Sequence, residues 1–422
     1  MKSINMEQFN ITGPIKLSGK VKVSGSKNEA LKIIPLAVIL NKPVKVKNVP
    51  KIKDIASQIE IFRFLGGSAD FAESLKLDSK NIKSHSIVCN ASKSLRASVV
   101  YLGPLLSKFK KAQLPFPGGC AIGLRPIDTH LRAFADLGAE ISCCHDVVSV
   151  AIDKIKNNKI TLAEKSVSAT ENIVLFLASQ EQKVEISNCA IEPEIIHLIG
   201  ILNEAGAKIK KIGERCFEVW GNKNLSLQEI EVMPDRIEAG TFLIAFAATG
   251  GEGEIEPFRQ DQVGSLIDVL RQCGVTIKIK NGVCLVKGKD IYKPFKIKTG
   301  PYPEFPTDLQ SPMSLLAANA RGVSIIKEEM FENRLNYLEN LGKMGLQYRL
   351  INNNYTEITG PVQLKGATVL STDLRAGITI LIAGIMAKGQ SVIRGADIID
   401  RGYEDVENKL SQLGAKITRS DV

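Results

Sequence analysis

Six times along this chain a helix-like segment closes on a Leu-Gly-Ala step or a near variant and passes into a strand-like run. The glycines are Gly66, Gly138, Gly206, Gly274, Gly345 and Gly414, spaced 72, 68, 68, 71 and 69 residues apart. A period near seventy that accounts for the whole 422 residues restricts the fold to six copies of one unit. A chain of this length exceeds one ordinary core, so two domains of three units each are expected.

A second feature recurs in phase with the glycines: a polar cluster that opens an apolar, helix-like run. The clusters are Ser26-Lys27-Asn28-Glu29, Leu95-Arg96-Ala97-Ser98, Ala169-Thr170-Glu171-Asn172, Pro234-Asp235-Arg236-Ile237-Glu238, Pro306-Thr307-Asp308-Leu309-Gln310 and Ser371-Thr372-Asp373-Leu374-Arg375. Ser, Thr, Asn and Asp at a helix start satisfy its free N–H groups. The run after each cluster is apolar nearly all round, as a buried helix requires. Each unit therefore reads as buried helix, strand, amphipathic helix, glycine cap and further strands, an α/β (α+β) architecture with buried helices behind mixed sheets.

The segment Ile11-Thr12-Gly13-Pro14-Ile15-Lys16-Leu17-Ser18-Gly19 echoes Ile358-Thr359-Gly360-Pro361-Val362-Gln363-Leu364-Lys365-Gly366. The echo predicts that the N-terminal strands complete the C-terminal domain. The expected division is an inner domain over 27–233 and an outer domain over 1–26 and 234–422, with the active site in the cleft between them.

Charge narrows the function. The net charge is +10, but the lysines are dispersed and aromatics make up 5%, so the stacking platforms of nucleic-acid binders are missing. A small anionic ligand at the helix starts, near Lys27, Arg96, Arg236 and Arg375, accounts for the charge better. No apolar run suits a signal peptide or a membrane span, which predicts a cytoplasmic protein without a membrane role. The eight cysteines follow no secreted disulfide pattern, and most are expected to be reduced core residues. His85, His130, His145 and His197 are far apart, and Cys143-Cys144-His145 are consecutive, so no metal site is expected. P-loop and dinucleotide fingerprints are also missing, so cofactor-free chemistry is expected.

One segment carries reactive chemistry. Pro115-Phe116-Pro117-Gly118-Gly119-Cys120-Ala121-Ile122-Gly123-Leu124-Arg125-Pro126-Ile127-Asp128 is a loop by composition. Its glycines allow a backbone to approach a ligand, and a nearby Arg125 favours the Cys120 thiolate, making Cys120 a candidate acid or nucleophile.

Taken together, Ser24-Gly25-Ser26-Lys27-Asn28, the Pro117 to Asp128 loop, Thr170-Glu171-Asn172-Ile173, Pro234-Asp235-Arg236-Ile237-Glu238, Phe305-Pro306-Thr307-Asp308, Phe331-Glu332-Asn333-Arg334, Thr372-Asp373-Leu374-Arg375 and Ile399-Asp400-Arg401-Gly402-Tyr403-Glu404 resemble the enolpyruvyl transferases over the whole chain. The resemblance implies a two-domain inside-out α/β barrel that transfers the enolpyruvyl group of phosphoenolpyruvate to the 3-hydroxyl of UDP-N-acetylglucosamine, at the start of peptidoglycan synthesis. It implies Cys120 as general acid and site of a covalent adduct, Asp308 as base, and Lys27 and Arg401 as further catalytic groups. Lys27, Asn28, Arg96, Arg125, Arg375 and Arg401 would hold phosphoenolpyruvate. Asn28, Arg96, Arg125, Pro126, Ile127, Asp128, Thr129, Ser166, Val167, Ser168, Asp308 and Arg334 would hold the nucleotide sugar, with Asp373 in the same network. Asp308 and Asp373 are also expected to act as helix caps.

Ser168, Ala239 and Tyr337 depart from the family pattern, where glycine, threonine and histidine are common. Two rival functions share the fold: transfer to shikimate 3-phosphate, which lacks a cysteine-bearing loop, and non-catalytic binding of RNA ends. A monomer with small-molecule substrates is the expected assembly.

Overall fold

The computed structural model describes residues 7–116 and 127–421. The chain divides into two compact units, one of residues 25–116 and 127–233, the other of residues 7–24 and 234–421. Each has its own continuous apolar core.

The first unit carries three pairs of helices. They are α1 (Lys27–Leu36) with α2 (Lys53–Phe64), α3 (Leu102–Phe109) with α4 (Asp128–Asp136), and α5 (Val167–Leu177) with α6 (Pro193–Glu204). The second repeats the scheme with α7 (Arg236–Ala248) and α8 (Gly264–Cys273), α9 (Thr307–Ala318) and α10 (Tyr337–Lys343), and α11 (Leu374–Met386) and α12 (Val406–Gln412). Odd-numbered helices lie inside: in α11 every residue from Arg375 to Met386 is buried, including Ile378, Ile380, Leu381, Ile382 and Ile385. Burying each such side chain contributes roughly 1.5–3 kcal/mol, so these helices are where the units are held together. Even-numbered helices bury one face only; α8 buries Leu266, Ile267, Leu270 and Cys273 and leaves its charged residues outside.

The expected six-fold repeat is what the structure has. All six repeat glycines adopt left-handed backbone, with φ between 94° and 115°, the conformation that ends a helix at lowest cost with no side chain. Two helix starts differ from expectation. α5 begins at Val167 with Ser166 as its cap, so Ala169 to Asn172 lie within the helix. The run after Leu95 opens as a tight 3-10 turn, Arg96–Tyr101, before continuing as α3.

Every repeat has a sheet, four-stranded in five of them; among the described residues that of the α3 repeat has three strands, Lys111–Pro115, Val147–Ala151 and Glu140–Cys144, all antiparallel. In the α9 repeat, strands Lys296–Lys298, Gly322–Lys327, Tyr355–Gly360 and Gln347–Asn352 lie in that order; the first pair is parallel and the others antiparallel. Alternate residues face the core, as in Val44–Lys47, where Val44 and Val46 are buried and Lys45 is exposed.

The N-terminal echo has a direct structural meaning. Strand Glu7–Gly13 lies between Gly389–Arg394 and Lys416–Asp421, antiparallel to both, in the place that Tyr355–Gly360 fills one repeat earlier. Both strands end on a glycine packed against the end of a buried helix. A Cβ on Gly13 would lie 2.5 Å from the Ile385 carbonyl oxygen, and one on Gly360 would lie 2.6 Å from that of Ala317. Ser18–Lys22 pairs in parallel with Glu252–Glu256, and in the first unit Glu229–Glu231 pairs in parallel with Val44–Lys47, so each ring of three repeats closes with chain from its far end.

Cysteine burial is more mixed than expected: Cys189, Cys273 and Cys284 are buried, whereas Cys143 and Cys144 are exposed on strand Glu140–Cys144. The short hairpin strand turns both thiols to solvent beside a tight His145-Asp146 turn. Among the described residues no helix is long and apolar enough to cross a membrane, and no group of three or more His, Cys, Asp and Glu could hold a metal ion.

Candidate active site

In the second unit the start of α9 meets the start of α11 through an ion cluster. Asp308, the second residue of α9, receives Arg334 Nη2 at 2.6 Å and Arg375 Nη2 at 2.9 Å. Both guanidinium side chains are nearly buried, at 4% and 6% exposure, and the carboxylate is 24% exposed. Burial alone would raise the Asp308 carboxyl, but the charges of Arg375 and Arg334 outweigh it and hold the group well below the usual carboxylate range. Asp308 is therefore not a helix cap as expected. A carboxylate one residue inside the helix is drawn to the two cations.

Asp373 is a cap, accepting the backbone N–H groups of Arg375 and Ala376 at 2.8 and 3.1 Å. It fixes the first turn of α11 and with it the origin of the Arg375 side chain. The far end of that side chain is held by Tyr403, whose hydroxyl accepts from Arg375 Nη1 at 3.0 Å and pairs with Thr241 Oγ1 of α7 at 2.9 Å. Arg334 is set by its backbone, since its carbonyl accepts Gln310 Nε2 at 3.2 Å, while its guanidinium lies 5.4 Å from the Phe331 ring centre. Tyr337 is fully buried, with its hydroxyl 2.6 Å from Ser314 Oγ and donating to Gln310 Oε1 at 3.0 Å, so it ties α10 to α9. Arg401 is half-buried beyond the short helix Ala396–Ile399.

In the first unit, Lys27 opens α1 and its Nζ lies 2.7 Å from Asp54 Oδ2, in the first turn of α2. The cap Ser26 accepts the Glu29 N–H at 3.3 Å, and the carbonyl of half-buried Asn28 accepts Lys32 Nζ at 2.7 Å. Glu29 is buried, contacts His197 and accepts the Met233 N–H at 2.6 Å; burial still keeps its carboxyl above the ordinary value. Lys32 extends to Glu171 of α5 at 3.2 Å, and burial pushes that carboxyl up to about 8 despite the lysine.

The expected nucleotide-sugar residues gather at the starts of α4 and α5. Ile127 is buried, Asp128 is exposed in the first turn of α4, and Thr129 is largely covered. Ser166 caps α5 by accepting the Ala169 N–H at 3.3 Å, followed by half-buried Val167 and Ser168. His130 bridges the two helix starts, 3.0 Å from Ser168 Oγ and 3.0 Å from Asn172 Nδ2. Arg96, half-buried at its tight turn, is close enough for its charge to disfavour a charged His130. Cys120, Arg125 and Pro126 lie outside the described residues.

The expected residues thus fall into two groups: Lys27, Asn28, Arg96, Ile127 to Thr129 and Ser166 to Ser168 in one unit, and Asp308, Arg334, Arg375 and Arg401 in the other. Sequence reasoning gave no role to Asp54, Tyr403 or His130, and read Asn172 only as part of a helix start. Tyr403 and Asn172 stood inside quoted motifs; Asn172, polar at the opening of an apolar run, carried a signal, whereas Tyr403 among polar neighbours carried none. Asp54 gave none, because its partner is twenty-seven residues away in sequence.

Comparison with known proteins identifies the family. The family model described as EPSP synthase (3-phosphoshikimate 1-carboxyvinyltransferase) matches residues 11–410. A Pelagibacter ubique protein named UDP-N-acetylglucosamine 1-carboxyvinyltransferase is 40% identical over 417 residues, covering 98% of this chain and all of the relative. A Bacillus subtilis protein named UDP-N-acetylglucosamine 1-carboxyvinyltransferase 2 is 38% identical over 416 residues, covering 98% of this chain and 97% of its own. Among solved structures, the enolpyruvyl transferase NikO from Streptomyces tendae superposes with a TM-score of 0.90 at 21% identity, covering 99% of this chain and 100% of its own. EPSP synthase from Acinetobacter baumannii gives 0.75 at 18% identity, covering 98% and 100%. With the family model spanning nearly the whole chain and relatives matching end to end, this protein belongs to the EPSP synthase family of carboxyvinyltransferases.

Proposed function

We propose that this protein transfers the 1-carboxyvinyl group of phosphoenolpyruvate to the 3-hydroxyl of UDP-N-acetylglucosamine and releases phosphate, the first committed step of peptidoglycan synthesis. The observation that carries this reading is the match, near 40% identity and over almost the full length, to relatives named for that activity. The protein acts in the cytoplasm as a monomer on two small anionic substrates.

In the first step the sugar 3-oxygen bonds to C2 of phosphoenolpyruvate, its proton passes to Asp308, and C3 receives a proton from Cys120. In the second, C3 returns a proton to the Cys120 thiolate, the bond between C2 and the phosphate's bridging oxygen breaks, and phosphate leaves with that electron pair. Lys27, Arg96, Arg125, Arg375 and Arg401 balance the phosphate and carboxylate, where charge redistributes most. The ion cluster adds a physical condition. With Arg334 and Arg375 on its carboxylate, Asp308 is a poor base. An arriving anion that competes for those guanidiniums restores its basicity, which ties base strength to substrate occupancy.

The test is phosphate release from phosphoenolpyruvate with either acceptor and no added metal. Release with UDP-N-acetylglucosamine alone supports the reading. Release with shikimate 3-phosphate alone moves the activity to the rival branch, and release with neither favours a non-catalytic binding protein.

A further inference from the structure

We propose that Arg419 is a positioning residue for the phosphoenolpyruvate site: its guanidinium grips both oxygens of Asp400 and so fixes the place from which Arg401 reaches the substrate. The inference rests on the role given to Arg401 above. Arg419 lies on strand Lys416–Asp421, outside every motif that marks the site. Its Nη1 donates to Asp400 Oδ2 at 2.9 Å and its Nη2 to Asp400 Oδ1 at 2.8 Å, the two-pronged geometry that gives an arginine–carboxylate pair direction as well as strength. Nη1 also donates to Glu7 Oε2 at 2.9 Å and Nε to Glu407 Oε2 at 3.3 Å, while the ring centre of Phe9 lies 4.7 Å from the guanidinium carbon.

The segment that carries Arg401 has little to hold it by itself. Ala396–Ile399 is one turn of helix, entered from left-handed Gly395 and followed by left-handed Asp405. A single turn fixes its backbone angles for too few hydrogen bonds to be stable alone. Ile399 and Tyr403 are buried and pin the apolar side of the segment. Its polar side is gripped at Asp400, and the next residue is Arg401. Tyr403, three residues after Asp400, accepts from Arg375 Nη1 through its hydroxyl. A shift at Asp400 therefore moves both arginines assigned to phosphoenolpyruvate in this unit.

Charge makes the grip decisive. One guanidinium stands among three carboxylates: Glu7 on the sheet, Glu407 on α12 and Asp400 at the end of the single turn. The four side chains are between 22% and 35% exposed, so their attraction is only partly screened. Asp400 does most to raise the Arg419 pKa above its ordinary value. Without the guanidinium the carboxylates repel one another, and the one on the weakest element yields first. Strand Glu7–Gly13 is paired on both sides and α12 runs for seven residues, so that element is the turn before Arg401.

The test is steady-state kinetics of the full-length protein, with each substrate varied in turn. Arg419→Gln should raise KM for phosphoenolpyruvate about tenfold, the effect of a weakened charge-assisted contact, and leave KM for UDP-N-acetylglucosamine within about twofold of wild type. A purely structural loss would instead lower the active fraction, cutting kcat with both KM values unchanged, and that result overturns the proposal. Asp400→Ala leaves Arg419 on Glu7 and Glu407, so the sheet and α12 stay tied; it should reproduce the rise, and it decides the question if Arg419→Gln does not fold. Glu407→Gln takes a carboxylate from the same guanidinium without touching the turn and should keep both wild-type KM values; an equal rise there overturns the proposal. Arg419→Lys should remain well above the wild-type KM for phosphoenolpyruvate, because an ammonium is a point charge that cannot match both Asp400 oxygens; full recovery overturns the grip. If wild type uses shikimate 3-phosphate instead, the acceptor reading fails while KM for phosphoenolpyruvate in the variants still decides this inference. Turnover with neither acceptor brings down both.

Discussion

Asp308→Asn keeps the shape of the side chain and removes the one negative charge between two nearly buried guanidiniums. An amide oxygen can accept from Arg334 or from Arg375, but its NH2 group then faces the other, and a cation is left without its counter-charge. Breaking a fully buried ion pair costs about 3–5 kcal/mol. The carboxylate is 24% exposed, which places this substitution at the lower end, about 3 kcal/mol. For a unit of this size that is a fall in melting temperature of roughly 6–12 °C, read by calorimetry.

Two further features belong to the mechanism rather than to general damage. Inorganic phosphate should stabilise the variant more than wild type, because it restores a charge that wild type already has. The pH dependence has a defined sign: the folded Asp308 carboxyl lies below its unfolded value near 3.9, so its contribution is complete above that value and is lost as pH falls through the folded pKa. The deficit of the variant should be constant from pH 8 to about 5 and shrink only in stronger acid. A melting temperature within about 2 °C of wild type at neutral pH, or equal gains from phosphate, would refute the argument.

Other expectations follow from single residues. Cys120→Ser should abolish or sharply reduce turnover and remove any covalent adduct with phosphoenolpyruvate seen by mass spectrometry; unchanged turnover rules out the acid role. Glu171, raised by burial to about 8, makes the folded state lose stability as pH rises from its unfolded value near 4.3 through about 8. Glu171→Gln should flatten that slope in denaturant titrations at several pH values, and a slope equal to wild type would contradict the assignment. Gly13→Ala sets a methyl group against the Ile385 carbonyl and should cost about 1–3 kcal/mol by chemical denaturation, more than the same change at Gly264, where a Cβ meets open space.

Local physics made much of this structure legible. The six glycines announced their left-handed backbone because few other residues accept it, and Asp235 and Asp373 announced themselves as caps by residue type and position. What was hidden depends on distance in sequence. Asp308 reads as a cap until Arg334 and Arg375 are brought beside it by the packing of α9, α10 and α11. Ala169 to Asn172 read as a helix start because their polarity is the same whether it caps a helix or, as with Asn172, braces a neighbouring one. Tyr403 and His130 have no local pattern that marks them; each is defined by the groups it is pressed against.

The strand Glu7–Gly13 also sets an order of events during synthesis. It leaves the ribosome ahead of residues 25–233, yet its two neighbours, Gly389–Arg394 and Lys416–Asp421, are made only after them. Residues 25–116 and 127–233 share an apolar core of their own and can fold while the rest is being translated. The other unit cannot complete that sheet until residues 389–421 have emerged. A nascent chain stalled after residue 388 would present that unpaired strand to any chaperone within reach.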